Sequence, residues 1–140
     1  MNKYYLIFLL ILFVPTVKAK TISVGKKGKY STIKSALQHA DNGDTVIVSK
    51  GLYKEGNILI NKSICFLGEN RPIIDGDKKY EVLSIKASHV VIKGFKIQHS
   101  SYASLDDPGG IKIYESSNVT IEENILYDNF FGIYLQYCSK

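Results

Sequence analysis

The stretch IKIYESSNVTIEENILYDNFFGIYL, Ile111 to Leu135, decides how the chain folds. Ile111 and Ile113 form an apolar couplet two residues apart, Val119 and Ile121 form a second, Ile125 to Tyr127 a third apolar segment, and Ile133 with Leu135 repeats the first. The same couplets occur upstream as Ile58/Ile60, Ile64/Phe66, Leu83/Ile85 and Val90/Ile92. Ile60 to Ile85 is 25 positions, Ile85 to Ile113 is 28, and Ile113 to Leu135 is 22. Inward residues two apart mark short strands, and corners of Gly, Asn, Asp and Ser separate them. Strands this short cannot bury an apolar face alone and must stack on copies of themselves. The recurrence therefore predicts an all-β fold, a parallel β-helix.

Working outward, the coils assign themselves. Thr21 to Val24 is a first short strand, and Asp44 to Val48 the first core strand, with Gly51 at its turn. Ile58 to Ile60, Ile64 to Phe66 and Ile73 to Ile74 make the second coil, punctuated by Gly68 and Asp75-Gly76. Leu83 to Ile85, Val90 to Ile92 and Phe95 to Ile97 make the third. The quoted stretch supplies the fourth and the first strand of a fifth. Between the first two strands lies one convincing helix, with Ser31 as N-cap, Ile33, Ala36, Leu37 and Ala40 on one face, and Gly43 past its end. A short amphipathic helix there shields the first coil and reads as an N-terminal cap. Ile97 to Ile111 is 14 positions where Ile125 to Ile133 needs eight, so Ser100 to Gly109 holds an inserted loop of about six residues, of the kind that collects on a binding face of a solenoid. After Tyr137 no cap is evident, which implies a longer protein or an edge covered by a partner, with self-association as the accompanying expectation.

The first nineteen residues read as a secretory signal: Lys3, then apolar Tyr4 to Val14, Pro15, and Val17-Lys18-Ala19 at the cleavage positions. The apolar run falls short of the ~20 residues a membrane-spanning helix needs. The expected mature domain is residues 20–140, periplasmic or secreted. Cleavage removes Lys3 and Lys18 and leaves 16 basic residues against 13 acidic, a net charge of +3. The lysines are scattered and Arg71 is the single arginine, which argues against nucleic acid as a partner. Cys65 lies in the second coil and Cys138 in the fifth, about 14 Å apart at ~4.8 Å per strand. A disulfide needs Cα atoms within ~7 Å, so both thiols are predicted free.

Four segments carry a family resemblance: GKYSTIKSALQHADNGDTVIVSKGLYKEG (Gly28 to Gly56), INKSICFLGENRPIIDG (Ile60 to Gly76), HVVIKGFKIQHS (His89 to Ser100) and NVTIEENILYDNFFGIYL (Asn118 to Leu135). Together they resemble the N-terminal part of NosD-type β-helix proteins, within the wider carbohydrate-binding and sugar-hydrolase β-helix group. The resemblance implies a right-handed, pectin-lyase-like solenoid in a periplasmic accessory protein for copper-site assembly in nitrous oxide reductase. Its matching positions are mostly inward aliphatics and turn glycines, which report packing rather than chemistry. Copper and a maturation-complex partner enter on this resemblance alone.

The residues themselves support less chemistry than fold. Copper needs converging His, Met or Cys, yet His39 is on the cap helix, His89 at a corner and His99 at the foot of the loop. His89 and His99 are the metal candidates, without ligand spacing. Cys65 alternates outward between Ile64 and Phe66 and reads as a small surface residue. Asp106 and Asp107 are the candidate catalytic carboxylates, though Asp-Asp-Pro-Gly-Gly is also ordinary turn chemistry. Asn118-Val119-Thr120 and Asn61-Lys62-Ser63 read as turns. Binding has more support. If Ile111, Ile113, Ile133 and Leu135 face inward, the outward columns are Ser84, Lys112, Tyr134 and Lys86, Tyr114, Gln136. Lys86, Lys112, Tyr114 and Tyr134 would form a strip beside the loop that stacks on sugar rings and pairs with acidic groups of a polysaccharide. The expected function is thus an exported, non-catalytic scaffold or accessory protein of the NosD type, with the N-terminal fragment of a polysaccharide lyase or glycoside hydrolase as the alternative.

Overall fold

The computed structural model describes residues 18–102 and 106–139; most of the expected leader, and the centre of the inserted loop, lie outside the described residues. The chain winds into an all-β, right-handed parallel solenoid of about five turns with one short helix. Its strands run β1 (Thr21–Val24), then, after the helix α1 (Ile33–His39), β2 (Thr45–Val48), β3 (Leu52–Tyr53) and β4 (Ile58–Ile60). They continue as β5 (Cys65–Gly68), β6 (Ile73–Asp75), β7 (Leu83–Ile85), β8 (Val91–Lys93) and β9 (Lys96–Gln98). The last are β10 (Gly109–Tyr114), β11 (Thr120–Glu122), β12 (Ile125–Tyr127) and β13 (Phe131–Gln136). From β2 onward every third strand returns to the same wall, and β1 pairs with β2, giving sheets β1-β2-β5-β8-β11, β3-β6-β9-β12 and β4-β7-β10-β13. All pairings are parallel.

The register reproduces the sequence spacing. Ile60 pairs with Ile85, Ile85 with Ile113, and Ile113 with Leu135. Inward residues fill the lumen, with Ile58, Leu83, Ile85, Ile92, Ile97 and Ile111 fully buried. Phe66 and Phe95 stack at 4.4 Å between centroids and 18° between planes, so two successive coils share an aromatic step. Asparagines tie coils at the corners. Asn124 Oδ1 accepts from the Phe95 N–H and its Nδ2 donates to Ile92 O, and Asn129 repeats this with Ser100 and Ile97. Gly94, at φ +86, is needed because a Cβ there would lie 2.5 Å from Gly68 O on the preceding coil.

The cap helix differs from expectation at its first residue. Thr32, not Ser31, is the N-cap, since Thr32 has extended backbone and its Oγ1 accepts from the Ser35 N–H at 3.2 Å. Ile33, Ala36, Leu37 and Ala40 are buried as the periodicity requires. Both helix ends are completed by the next coil: Glu55 accepts the N–H groups of Ile33 and Lys34 at 2.8 and 2.9 Å, and Lys62 Nζ donates to the carbonyls of Leu37, Gln38 and Ala40. A helix of this length is marginal alone, so these partners and its packing on β1, β2 and β4 hold it. Cys65 and Cys138 are both free. Among the described residues no helix is long and apolar enough to cross a membrane.

Candidate functional site

The β4-β7-β10-β13 wall places one outward column in register: Leu59 beside Ser84, Ser84 beside Lys112, and Lys112 beside Tyr134. Tyr114 pairs with Gln136 one step along. The alternation that buries Ile111 and Ile113 thus delivers Lys112, Tyr114 and Tyr134 to one face, as the sequence implied. The inserted loop then folds back over this face. Lys112 Nζ donates to Asp106 O at 2.5 Å, and Tyr134 OH donates to Asp107 Oδ2 at 3.3 Å. The two aspartates therefore enter the hydrogen-bond network differently, Asp106 through its backbone carbonyl and Asp107 through its carboxylate.

The loop changes the character of the strip. Ser84 and Lys112, outward on their strands, are both 5% exposed. A buried ammonium requires compensation, and it comes from Glu81, which the sequence reading passed over. Glu81 Oε2 lies 3.9 Å from Lys112 Nζ, and the carboxylate accepts from Tyr114 OH at 3.0 Å to each oxygen and from Ser84 Oγ. Asn57 Nδ2 donates to Ser84 Oγ at 2.7 Å and to Glu81 O at 3.0 Å, fixing the turn. The Lys112 ammonium sits 5.0 and 5.1 Å from the ring centroids of Tyr114 and Tyr134, and the Lys86 ammonium lies 4.8 Å from the Tyr114 centroid.

Electrostatics follow from this packing. Burial, then the hydrogen bond and charge of Glu81, push the Tyr114 phenol up to about 12. The charge of Asp107, with burial and their hydrogen bond, raises Tyr134. Around the network lies a groove of about 920 Å³, lined also by Tyr80, Tyr137 and Lys79. Among the groups that line the groove, the Glu81 and Asp107 carboxylates, the Tyr114 and Tyr134 phenols, the Lys112 ammonium and the Ser84 hydroxyl can hydrogen-bond a polyhydroxylated ligand, and the exposed rims of Tyr80 and Tyr137 offer ring faces.

The metal candidates are not brought together. His89 is exposed at a left-handed corner (φ 56) before β8, and His99 occupies a different one (φ 58) after β9. His99 is a staple between coils: its Nδ1 lies 3.0 Å from Asp75 Oδ2 and its Nε2 3.5 Å from Asp128 Oδ2. Burial works to raise the Asp75 carboxyl, but the Gln98 amide, the Asp77 N–H and His99 outweigh it and hold the group below the usual range. His39 Nδ1 is engaged by Ser35 O, and its ring stacks on Tyr30. Among the described residues no group of three His, Cys, Asp or Glu side chains converges to hold a metal ion, so these donors do not fit a copper site.

A parallel solenoid with a polar groove on one lateral wall defines the class. The family model described as a right handed beta helix region matches residues 18–140, and the chain belongs to that family. No curated protein and no solved structure matches it.

Proposed function

We propose that the chain is part of an exported, non-catalytic β-helix scaffold of the NosD type that holds a saccharide along the Lys112 groove. The observation that carries the reading is the placement of Lys112, Tyr114 and Tyr134 side by side on one wall, locked to Glu81 and to the loop. Export rests on the leader pattern of Lys3, Tyr4 to Val14 and Val17-Lys18-Ala19. The NosD assignment rests on the four resembling segments, and it assigns no copper site to the described residues. Calorimetric titration of the full chain with a panel of oligosaccharides tests the reading, with Tyr114→Ala and Tyr134→Ala as controls. Affinity for none of them overturns it.

The N-terminal piece of a polysaccharide lyase or glycoside hydrolase is favoured by one arrangement, Glu81 hydrogen-bonded to Tyr114 beside Lys112, since these groups can exchange a proton. Release of reducing or unsaturated ends from pectate or alginate, abolished by Glu81→Gln, would establish this second reading over the first.

A further inference from the structure

The groove's charge decides which saccharides it accepts. Lys79, Lys86 and Lys112 line it, and so do Glu81, Asp106 and Asp107, in equal number. Two of the three ammonium groups are already engaged. Lys112 is held by Glu81 and by Asp106 O, and Lys79 Nζ lies 3.2 Å from Asp77 Oδ2. Lys86 is exposed and lies over Tyr114, outside the buried network.

A uronate carboxylate entering beside Lys112 would meet the carboxylates of Glu81 and Asp107 around an ammonium that Glu81 already shares. Among the described residues this leaves Lys86, over Tyr114, as the groove's one lysine without a carboxylate partner. Like charges brought together beside the buried Lys112–Glu81 pair disfavour that ligand. A neutral sugar meets the opposite situation. Its hydroxyls donate to the oxygens of Glu81 and Asp107 and accept from Lys112, while an apolar ring face can lie on Tyr80 or Tyr137, which expose 47% and 82% of their surface.

We infer that the Lys112 groove is selective for uncharged glycans, built from neutral hexose or pentose units, and excludes uronate polymers. The inference rests on the saccharide-binding reading above and refines its ligand class. Carboxylates in a carbohydrate groove serve here as acceptors for sugar hydroxyls, and the lysine neutralises one of them rather than recruiting an anion.

The test is titration of the full chain, at low ionic strength, with neutral hexasaccharides of glucose, xylose and mannose and with hexagalacturonate and hexaguluronate. At least one neutral ligand is expected to bind at least about tenfold more tightly than either uronate. Glu81→Gln and, on the loop, Asp107→Asn keep the side-chain shapes and remove a negative charge; each should raise uronate affinity while lowering that for the neutral ligand. Asp107→Asn serves where Glu81→Gln disturbs folding. Uronates binding more tightly than every neutral ligand would overturn the inference and leave saccharide binding standing. Binding of no ligand of either class would overturn both.

Discussion

Lys112 Nζ lies 3.9 Å from Glu81 Oε2, and the two side chains expose only 6% and 14% of their surface. Their removal should be asymmetric. Glu81→Ala leaves a buried ammonium with Asp106 O as its remaining protein acceptor, and should cost about 3 kcal/mol. Lys112→Met leaves Glu81 with its donors Tyr114 and Ser84, and should cost about 1 kcal/mol. Chemical denaturation of both variants and the double variant measures this. Equal costs with no coupling would mean that the pair does not support the groove.

Tyr114 gives the groove an optical signal. With its phenol pushed up to about 12, first by burial and then by Glu81, it should stay protonated well above the ordinary phenol value of about 10. A folded pKa above the unfolded one means that its contribution to stability is complete below pH 10 and is lost as pH rises toward 12. Tyr134 and Tyr53 are raised as well, so absorbance titration of phenolate should show several late tyrosines, of which one component is lost in Tyr114→Phe and shifted to lower pH in Glu81→Gln. A titration unchanged by Tyr114→Phe would refute the assignment.

Asp75 sets the acid limit. Burial opposes its charge, but Gln98, the Asp77 N–H and His99 hold its carboxyl below the ordinary value. Asp44 behaves alike, with burial outweighed by the N–H groups of Asp41 and Lys20 and by the Lys20 ammonium. Carboxyls depressed in the folded state stabilise above their unfolded pKa, and that stability is lost as pH falls below about 4. Thermal unfolding followed from pH 6 to pH 2 should show a falling midpoint, with a shallower fall in Asp75→Asn. An identical slope in wild type and variant would remove Asp75 from this role.

The coils were legible because every inward couplet obeys one period, so Ile60, Ile85, Ile113 and Leu135 could be stacked by counting alone. The outward column was legible for the same reason. Alternation says which wall Lys112 faces, but not that Asp106 and Asp107, a few positions up the chain, fold back onto that wall. Glu81 was hidden more deeply. It stands two residues before the inward Leu83, where strict alternation would send a carboxylate into the core, and Val82 and Leu83 are both fully buried. That break in period was the available signal that Glu81 belongs to a turn. Ser31 and Thr32 are chemically interchangeable as caps, so only backbone geometry selected between them.

The cap helix supplies the last prediction. Its first donors are satisfied by Glu55 and its last carbonyls by Lys62, two residues of the following coil seven positions apart. An acidic group at the N-terminus and a basic one at the C-terminus also oppose the helix dipole. Glu55→Ala removes the acceptor of two N–H groups while Thr32 remains, and should cost about 1 kcal/mol. Because the contact is local, hydrogen exchange should accelerate at the Ile33 and Lys34 amides and stay unchanged at Ile92 and Ile97 in the core strands. Lys62→Met should loosen the other end without affecting those two amides. Unaltered exchange at Ile33 and Lys34 in Glu55→Ala would show that the helix is held by its apolar face alone.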